Sequence, residues 1–140
     1  MKLVYRNKLK ACDRLKITCP EDAYKVFLDS WDIDQIELLE ECKAMFLDRQ
    51  LRVMSLASIS KGGLNGTVVD LRLVFAMALK RRANSFILAH NHPSGNLRPS
   101  QADIQLTIQF QQAGKLMQIE LEDHLIITKD GYTSINTELS

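Results

Sequence analysis

The stretch from Ala83 to His90, with Phe86, Ile87, Leu88 and Ala89 unbroken, constrains the fold more than any other part of the chain. A short apolar run without polar alternation reads as a strand covered on both faces, so other elements must lie on either side of it. Just upstream, Leu71, Val74, Phe75, Ala78 and Leu79 recur at helical spacing behind Asp70, a suitable N-cap, and predict a helix. Two apolar segments precede that helix, Lys43 to Leu47 and Leu51 to Ile59, joined at Asp48-Arg49-Gln50 as a hairpin. Strand, helix and strand in this order imply a mixed α/β layer fold.

The flanking segments fill in the rest. Thr18 and Glu21 are spaced as a capping box, with Pro20 in the first turn, and predict a helix that buries Ala23, Val26, Phe27 and Ser30. Ser100 and Asp103 open another, and Gly114 followed by Lys115 resembles its stop. On that helix Ile104 and Ile108 lie on a different face from Leu106, Phe110 and Ala113, which motivates a homodimer that covers the second face. Ile119 to Leu121 and Leu125 to Thr128 read as short closing strands, with Lys129-Asp130-Gly131 as the last turn. The glycine-dense segment from Ser60 to Gly66 lacks the Gly-Lys-Ser/Thr ending of a phosphate-binding loop and reads as turn chemistry, as does the sequon-like Asn65-Gly66-Thr67.

Composition narrows the class. With 140 residues, 46% hydrophobic and 25% charged, one domain can bury a core without disulfide or metal staples. Cys12, Cys19 and Cys42 are odd in number and never form CxxC, which argues against a disulfide framework and a cysteine zinc site and fits a reducing cytoplasm. No apolar run of membrane-spanning length occurs, so no membrane partner is expected. The net charge of +1 hides a basic start, from Lys2 to Lys16, ahead of an acidic stretch from Glu21 to Asp48. Apart from that start, little basic sequence is available for a nucleic-acid surface, and Lys80-Arg81-Arg82 reads as the dipole-favoured end of a helix.

Side chains two apart on an extended segment point to the same side, so His90 and His92 converge at the end of the buried strand while Asn91 faces away. A catalytic zinc site needs three protein ligands and an open position, and Asp103, folded back by the loop from Pro93 to Pro99, is the nearest third ligand. The full pattern His90-x-His92-x7-Ser100-x-x-Asp103 is far harder to meet by accident than H-x-H alone.

This pattern resembles the signature of the JAMM (JAB/MPN) metalloproteases, in the bacterial RadC-type branch. The likeness extends over AHNHPSGNLRPSQAD, GTVVD, AGKL and DHLIIT, and so over most of the chain from about Glu40 onward. The resemblance implies a three-layer α/β fold, JAB/MPN-like and cytidine-deaminase-like, with a mixed sheet flanked by helices. It implies one domain over residues 1–140, with 1–39 as a basic segment and helix and 40–140 as the metal-site core. It makes His90, His92 and Asp103 ligands of Zn²⁺ and Ser100 a donor to the developing oxyanion. It also requires a glutamate that serves as general base and acid. Alignment of the strand ending Phe46-Leu47-Asp48 puts Glu40 there, with Glu41 one residue away, and strand parity favours Glu40, which shares its face with Cys42, Ala44 and Phe46. His124 matches the family as a group orienting a ligand, and equally reads as a buried histidine at a strand start; Ser94 reads either as a contact near the zinc water or as part of the Pro-Ser-Gly turn.

The reaction so implied is hydrolysis of a peptide or isopeptide bond in a peptide or protein substrate. A zinc deaminase is set aside, because its H-x-E and P-C-x-x-C elements are missing. The alternative is a DNA-repair-associated or DNA-binding protein without proteolytic activity, in keeping with the RadC name and the basic start. The longer members' helix-hairpin-helix-like region has no counterpart in the roughly forty residues before the metalloprotease-like part, which weighs against DNA binding. A third reading keeps the metal site as a scaffold without catalysis.

Overall fold

The computed structural model describes residues 2–6, of which only the backbone is considered, 14–62 and 69–135. Most of the Ser60 to Gly66 loop, the Asn65-Gly66-Thr67 sequon and Cys12 lie outside the described residues. The elements run β1 (Lys2–Arg6), α1 (Pro20–Ser30), β2 (Glu41–Leu47), β3 (Val53–Lys61), α2 (Leu71–Arg81), β4 (Ser85–Asn91), α3 (Gln101–Met117), β5 (Glu120–Thr128) and β6 (Gly131–Ser134). The apolar run after Ala83 becomes β4, buried at every residue, and β2 beside it is buried throughout as well. They occupy the middle of one six-stranded sheet in the order β1-β3-β2-β4-β5-β6. Among the described residues only β4 and β5 pair in parallel, and α3 is the crossover such a pair requires.

Alternation along the two central strands divides the core in two. Cys42, Ala44 and Phe46 of β2 and Phe86 and Leu88 of β4 pack under α2 and α3, where Phe75, Phe86 and Phe110 form a cluster with ring centroids 5.5 to 6.0 Å apart. Met45, Leu47, Ile87 and Ala89 face the other way, against Ala23, Phe27 and Trp31 of α1 and its C-terminal end. The result is the expected three-layer α/β arrangement, a mixed sheet with α1 on one face and α2 and α3 on the other.

The hairpin between β2 and β3 needs no Asn-Gly, because Asp48 Oδ1 accepts the amides of Gln50 and Arg52 at 2.9 and 3.0 Å while Leu51 takes the left-handed conformation at φ 61°. Asp70 caps α2 by accepting the Arg72 amide at 2.9 Å. Ser100 and Asp103 form the reciprocal capping box at the start of α3.

Several sequence expectations are corrected. Pro20 occupies the first helical position of α1, so Cys19 becomes the N-cap, and the residue reaching back to Thr18 is Asp22 rather than Glu21, accepting from the Thr18 amide and hydroxyl at 2.9 and 2.6 Å. Of the face assigned to α1, Ala23 and Phe27 are buried, while Val26 and Ser30 are half-buried. On α2, Met77 is buried and Leu79 is 54% exposed, because the face that packs on the sheet is the one shared by Val74, Phe75, Met77 and Ala78, and Leu79 is turned away from it. The two closing strands are one, β5, with an irregular register where Leu121 and Asp123 face Phe86 and Ile87. Its polar residues do not break it, since Asp123 accepts the His124 amide and the Ser134 hydroxyl at 2.8 and 2.6 Å.

Gly114 does not end α3, which continues to Met117 and closes with Gln118 at φ 60°. Its lack of a side chain serves packing instead: a Cβ there would lie 2.6 Å from the Ile119 carbonyl oxygen and 3.3 Å from Glu120 Cα. Both neighbours are backbone, so Gly114→Ala is expected to lower stability by about 1–3 kcal/mol despite alanine's better helix propensity. A urea unfolding midpoint equal to the parent's would refute this.

Candidate metal centre

The site is assembled where β4 leaves the sheet. Phe86 and Leu88 face α2 and α3, and strand parity puts His90 on that side too, 4% exposed. His92 follows one residue beyond the strand, and its Nε2 lies 3.0 Å from that of His90. The capping box brings the first turn of α3 to the same point: Asp103 Oδ1 is 3.1 Å from His90 Nε2 and Oδ2 is 3.2 Å from His92 Nε2. Glu40, just before β2, joins the histidines in a group whose ligand atoms all lie within 4.8 Å of one another. Glu40, fifty residues before His90 in sequence, thus meets the local His90, His92 and Asp103 set at one end of the sheet.

The hydrogen bonds around the histidines fix which nitrogen carries the proton. His92 Nδ1 lies 2.6 Å from the Asn96 carbonyl oxygen, which only accepts, so Nδ1 is a donor and, while the ring is neutral, Nε2 presents its lone pair inward. Thr107 donates its hydroxyl to the Asp103 carbonyl at 2.8 Å, so His124 Nδ1, 2.6 Å from the same hydroxyl oxygen, must donate to it. His124 Nε2 is then an acceptor for His90 Nδ1 at 2.9 Å, which leaves His90 Nε2 bare as well. Full burial, and then the neighbouring His90, push the His124 pKa down to about 3, so it remains neutral and keeps this sense of donation.

Two bare nitrogens and a carboxylate that face one another repel unless a cation lies among them, so the donor set fits a divalent metal bound by nitrogen and oxygen. The same field acts on protons. The Asp103 hydrogen bond, opposed by burial, raises the His92 pKa above its ordinary value. Burial alone would push Asp103 up, but the bonds to His90 and His92 prevail and hold it well below the usual carboxylate range. Cys42, the register partner of His90, stands outside the group formed by Glu40, His90 and His92, and burial, then the carboxylates of Glu40, Glu41 and Asp103, push its thiol up to about 12.

Ser100 and Ser94 make local contacts. Ser100 Oγ accepts the Asp103 amide at 3.0 Å, and Asp103 Oδ2 in return accepts the Ser100 amide at 2.8 Å. Ser94 is exposed and accepts the Asn96 amide at 3.3 Å, within a turn whose Gly95 sits at φ 83°. Glu41 lies outside the cluster; it is 7% exposed and accepts the Ser58 hydroxyl.

Sequence reasoning passed over Thr107 and Asn91. Thr107 stands four residues after Asp103, one helical turn along the same face, and that spacing is a usable signal. Asn91 offers none beyond its place between two ligand candidates. Among the described residues no helix is long and apolar enough to cross a membrane.

A family model described as the RadC-like JAB domain matches residues 17–139. A UPF0758 protein of Flavobacterium johnsoniae is 44% identical over 123 residues, covering 88% of this chain and 52% of that relative. A UPF0758 protein of Clostridium perfringens is 40% identical over 133 residues, covering 95% and 57%. The chain thus spans about half the length of the curated relatives it matches. With residues 17–139 matched by the family model and relatives at 40 to 44% identity over 88 to 95% of its length, the chain belongs to the RadC-like JAB domain family.

Proposed function

We propose that this domain is a zinc-dependent metallohydrolase that cleaves a peptide or isopeptide bond in a peptide or protein substrate. The observation that carries the reading is the convergence of His90 Nε2, His92 Nε2 and the Asp103 carboxylate within 3.0 to 3.2 Å, with the Glu40 carboxylate grouped with the two histidines. His90, His92 and Asp103 would hold the ion. Zn²⁺ bound there supplies Lewis acidity, lowering the pKa of water and polarising a carbonyl.

The chain's own residues do the rest. Glu40 takes the proton from the attacking water and passes it to the leaving amine, and this double duty is why an amide is the natural substrate. Ser100, whose oxygen accepts from Asp103, retains its O–H to donate to the oxyanion. The test is release of free amine from peptide and isopeptide-linked substrates by zinc-loaded protein; fully loaded protein inert toward both classes would overturn the reading.

The relay behind His90 gives a further expectation. Thr107→Val keeps the side chain's shape but removes the hydroxyl that holds His124 in its donor sense. Zinc affinity, measured by competition with a chelator, is expected to fall about tenfold. Unchanged affinity would mean that His124 keeps His90 aligned without Thr107.

A further inference from the structure

Asn91 lies between the two candidate ligands yet turns to the opposite face of the sheet, where it is 0% exposed. A buried primary amide has to satisfy both its carbonyl and its amino group. Asn91 satisfies them on one continuous stretch, the connector after α1 and the first residue of β2. Its Oδ1 accepts the Glu41 amide at 2.7 Å, and its Nδ2 donates to the carbonyls of Ile36 and Leu39 at 2.7 and 2.8 Å. The pairing of β2 with β4 starts only at Cys42 opposite His90, so Asn91 supplies the Glu41 amide with the acceptor that a strand partner would otherwise give.

These bonds bracket Glu40. Leu39 before it and Glu41 after it are both held by Asn91, and the Glu40 carbonyl accepts the Gly62 amide at 2.7 Å. With the backbone tied on three counts, little rotation is left at Glu40, and its side chain is aimed to the histidine face. We propose that Asn91 is the positioning residue for Glu40, joining the strand that carries the histidines to the segment that carries the carboxylate. The inference rests on the role given to Glu40 above. Only a short side chain with an acceptor and two donors makes all three bonds; serine and aspartate each retain a part and leucine none.

The test uses Asn91→Ser, Glu40→Gln and the double variant, with two readouts that need no substrate. Hydrogen exchange in the metal-free protein reads the seat, and Asn91→Ser is expected to speed exchange of the Glu41 amide about tenfold. The visible spectrum of the Co²⁺-loaded protein reads the surroundings of the metal. Asn91→Ser is expected to shift it as Glu40→Gln does, with no added shift in the double variant. A Glu41 amide that stays protected in Asn91→Ser, or spectral shifts that add, would overturn the proposal. If Glu40→Gln leaves the Co²⁺ spectrum unaltered while Asn91→Ser speeds exchange, the seat stands and the role given to Glu40 falls. Asn91→Asp covers a failure of the serine variant to fold: it keeps the acceptor, so the Glu41 amide stays protected while loss of both donors still shifts the spectrum.

Discussion

Asp103→Ala is expected to weaken zinc binding at least about a hundredfold, a larger loss than for any residue behind the ligands. The carboxylate does two jobs at once, since Oδ2 lies 3.2 Å from His92 Nε2 and accepts the Ser100 amide at 2.8 Å. Loss of the cap alone is worth about 1 kcal/mol of helix stability. Ser100→Ala separates the two effects, because it removes the hydroxyl that accepts the Asp103 amide and leaves the carboxylate facing the histidines. That variant should lose stability and keep its zinc, whereas Asp103→Ala should lose both. Equal affinity in the two variants would mean that Asp103 only caps α3.

The pH dependence of binding follows from the same contact. In the metal-free protein the Asp103 bond raises the His92 pKa, so the stability this pair contributes is fully present below the unfolded value of about 6.5. It is lost as pH rises through the folded value. Metal binding runs the other way, because the proton on His92 must leave first, and zinc affinity falls as pH drops through that raised pKa. In Asp103→Ala the largest cause of the shift is gone, so proton competition should set in at lower pH than in the parent. Chelator competition across the range from pH 5 to 8, where histidine ordinarily titrates, reads this directly.

The parts of this fold that are legible in the sequence are those where one period decides. Phe86 to Ala89 has no polar interruption, and β4 is buried on both faces. The alternation that groups Glu40 with Cys42, Ala44 and Phe46 agrees with a core in which the last three face α2 and α3. Legibility fails where tertiary partners cancel a local signal. Glu122-Asp123-His124 reads as a break, yet Asp123 is satisfied by Ser134 and His124 by Thr107 and His90, so β5 runs through it. Gly114 reads as a stop, yet its neighbour in space is the Ile119 carbonyl and the helix continues. At the site, H-x-H and the Ser100-x-x-Asp103 box are local spacings and can be read. The relay through Thr107 and the three bonds of Asn91 depend on which strands and turns become neighbours, and no window of sequence holds that information.

Glu40→Gln is expected to lower amide hydrolysis by about 10²- to 10⁴-fold, the span usual for loss of a general acid–base group, while zinc content stays at the parent's level. Glutamine preserves the size of the side chain and an acceptor but can neither take the water's proton nor return it to the leaving amine. The adjacent residue gives the control. Glu41 is 7% exposed, stands outside the histidine cluster, and is engaged by the Ser58 hydroxyl, whereas Glu40 is grouped with His90 and His92. Glu41→Gln keeps an acceptor for Ser58 and should cost at most some stability, with the rate retained. The two variants differ by one position on one strand end, so a one-residue slip in register would exchange their phenotypes. A full rate in Glu40→Gln with loss in Glu41→Gln would therefore move the base to Glu41. A full rate in both would leave the metal without a carboxylate partner from this segment, and the proton transfer would have to be sought among the other groups around Asp103.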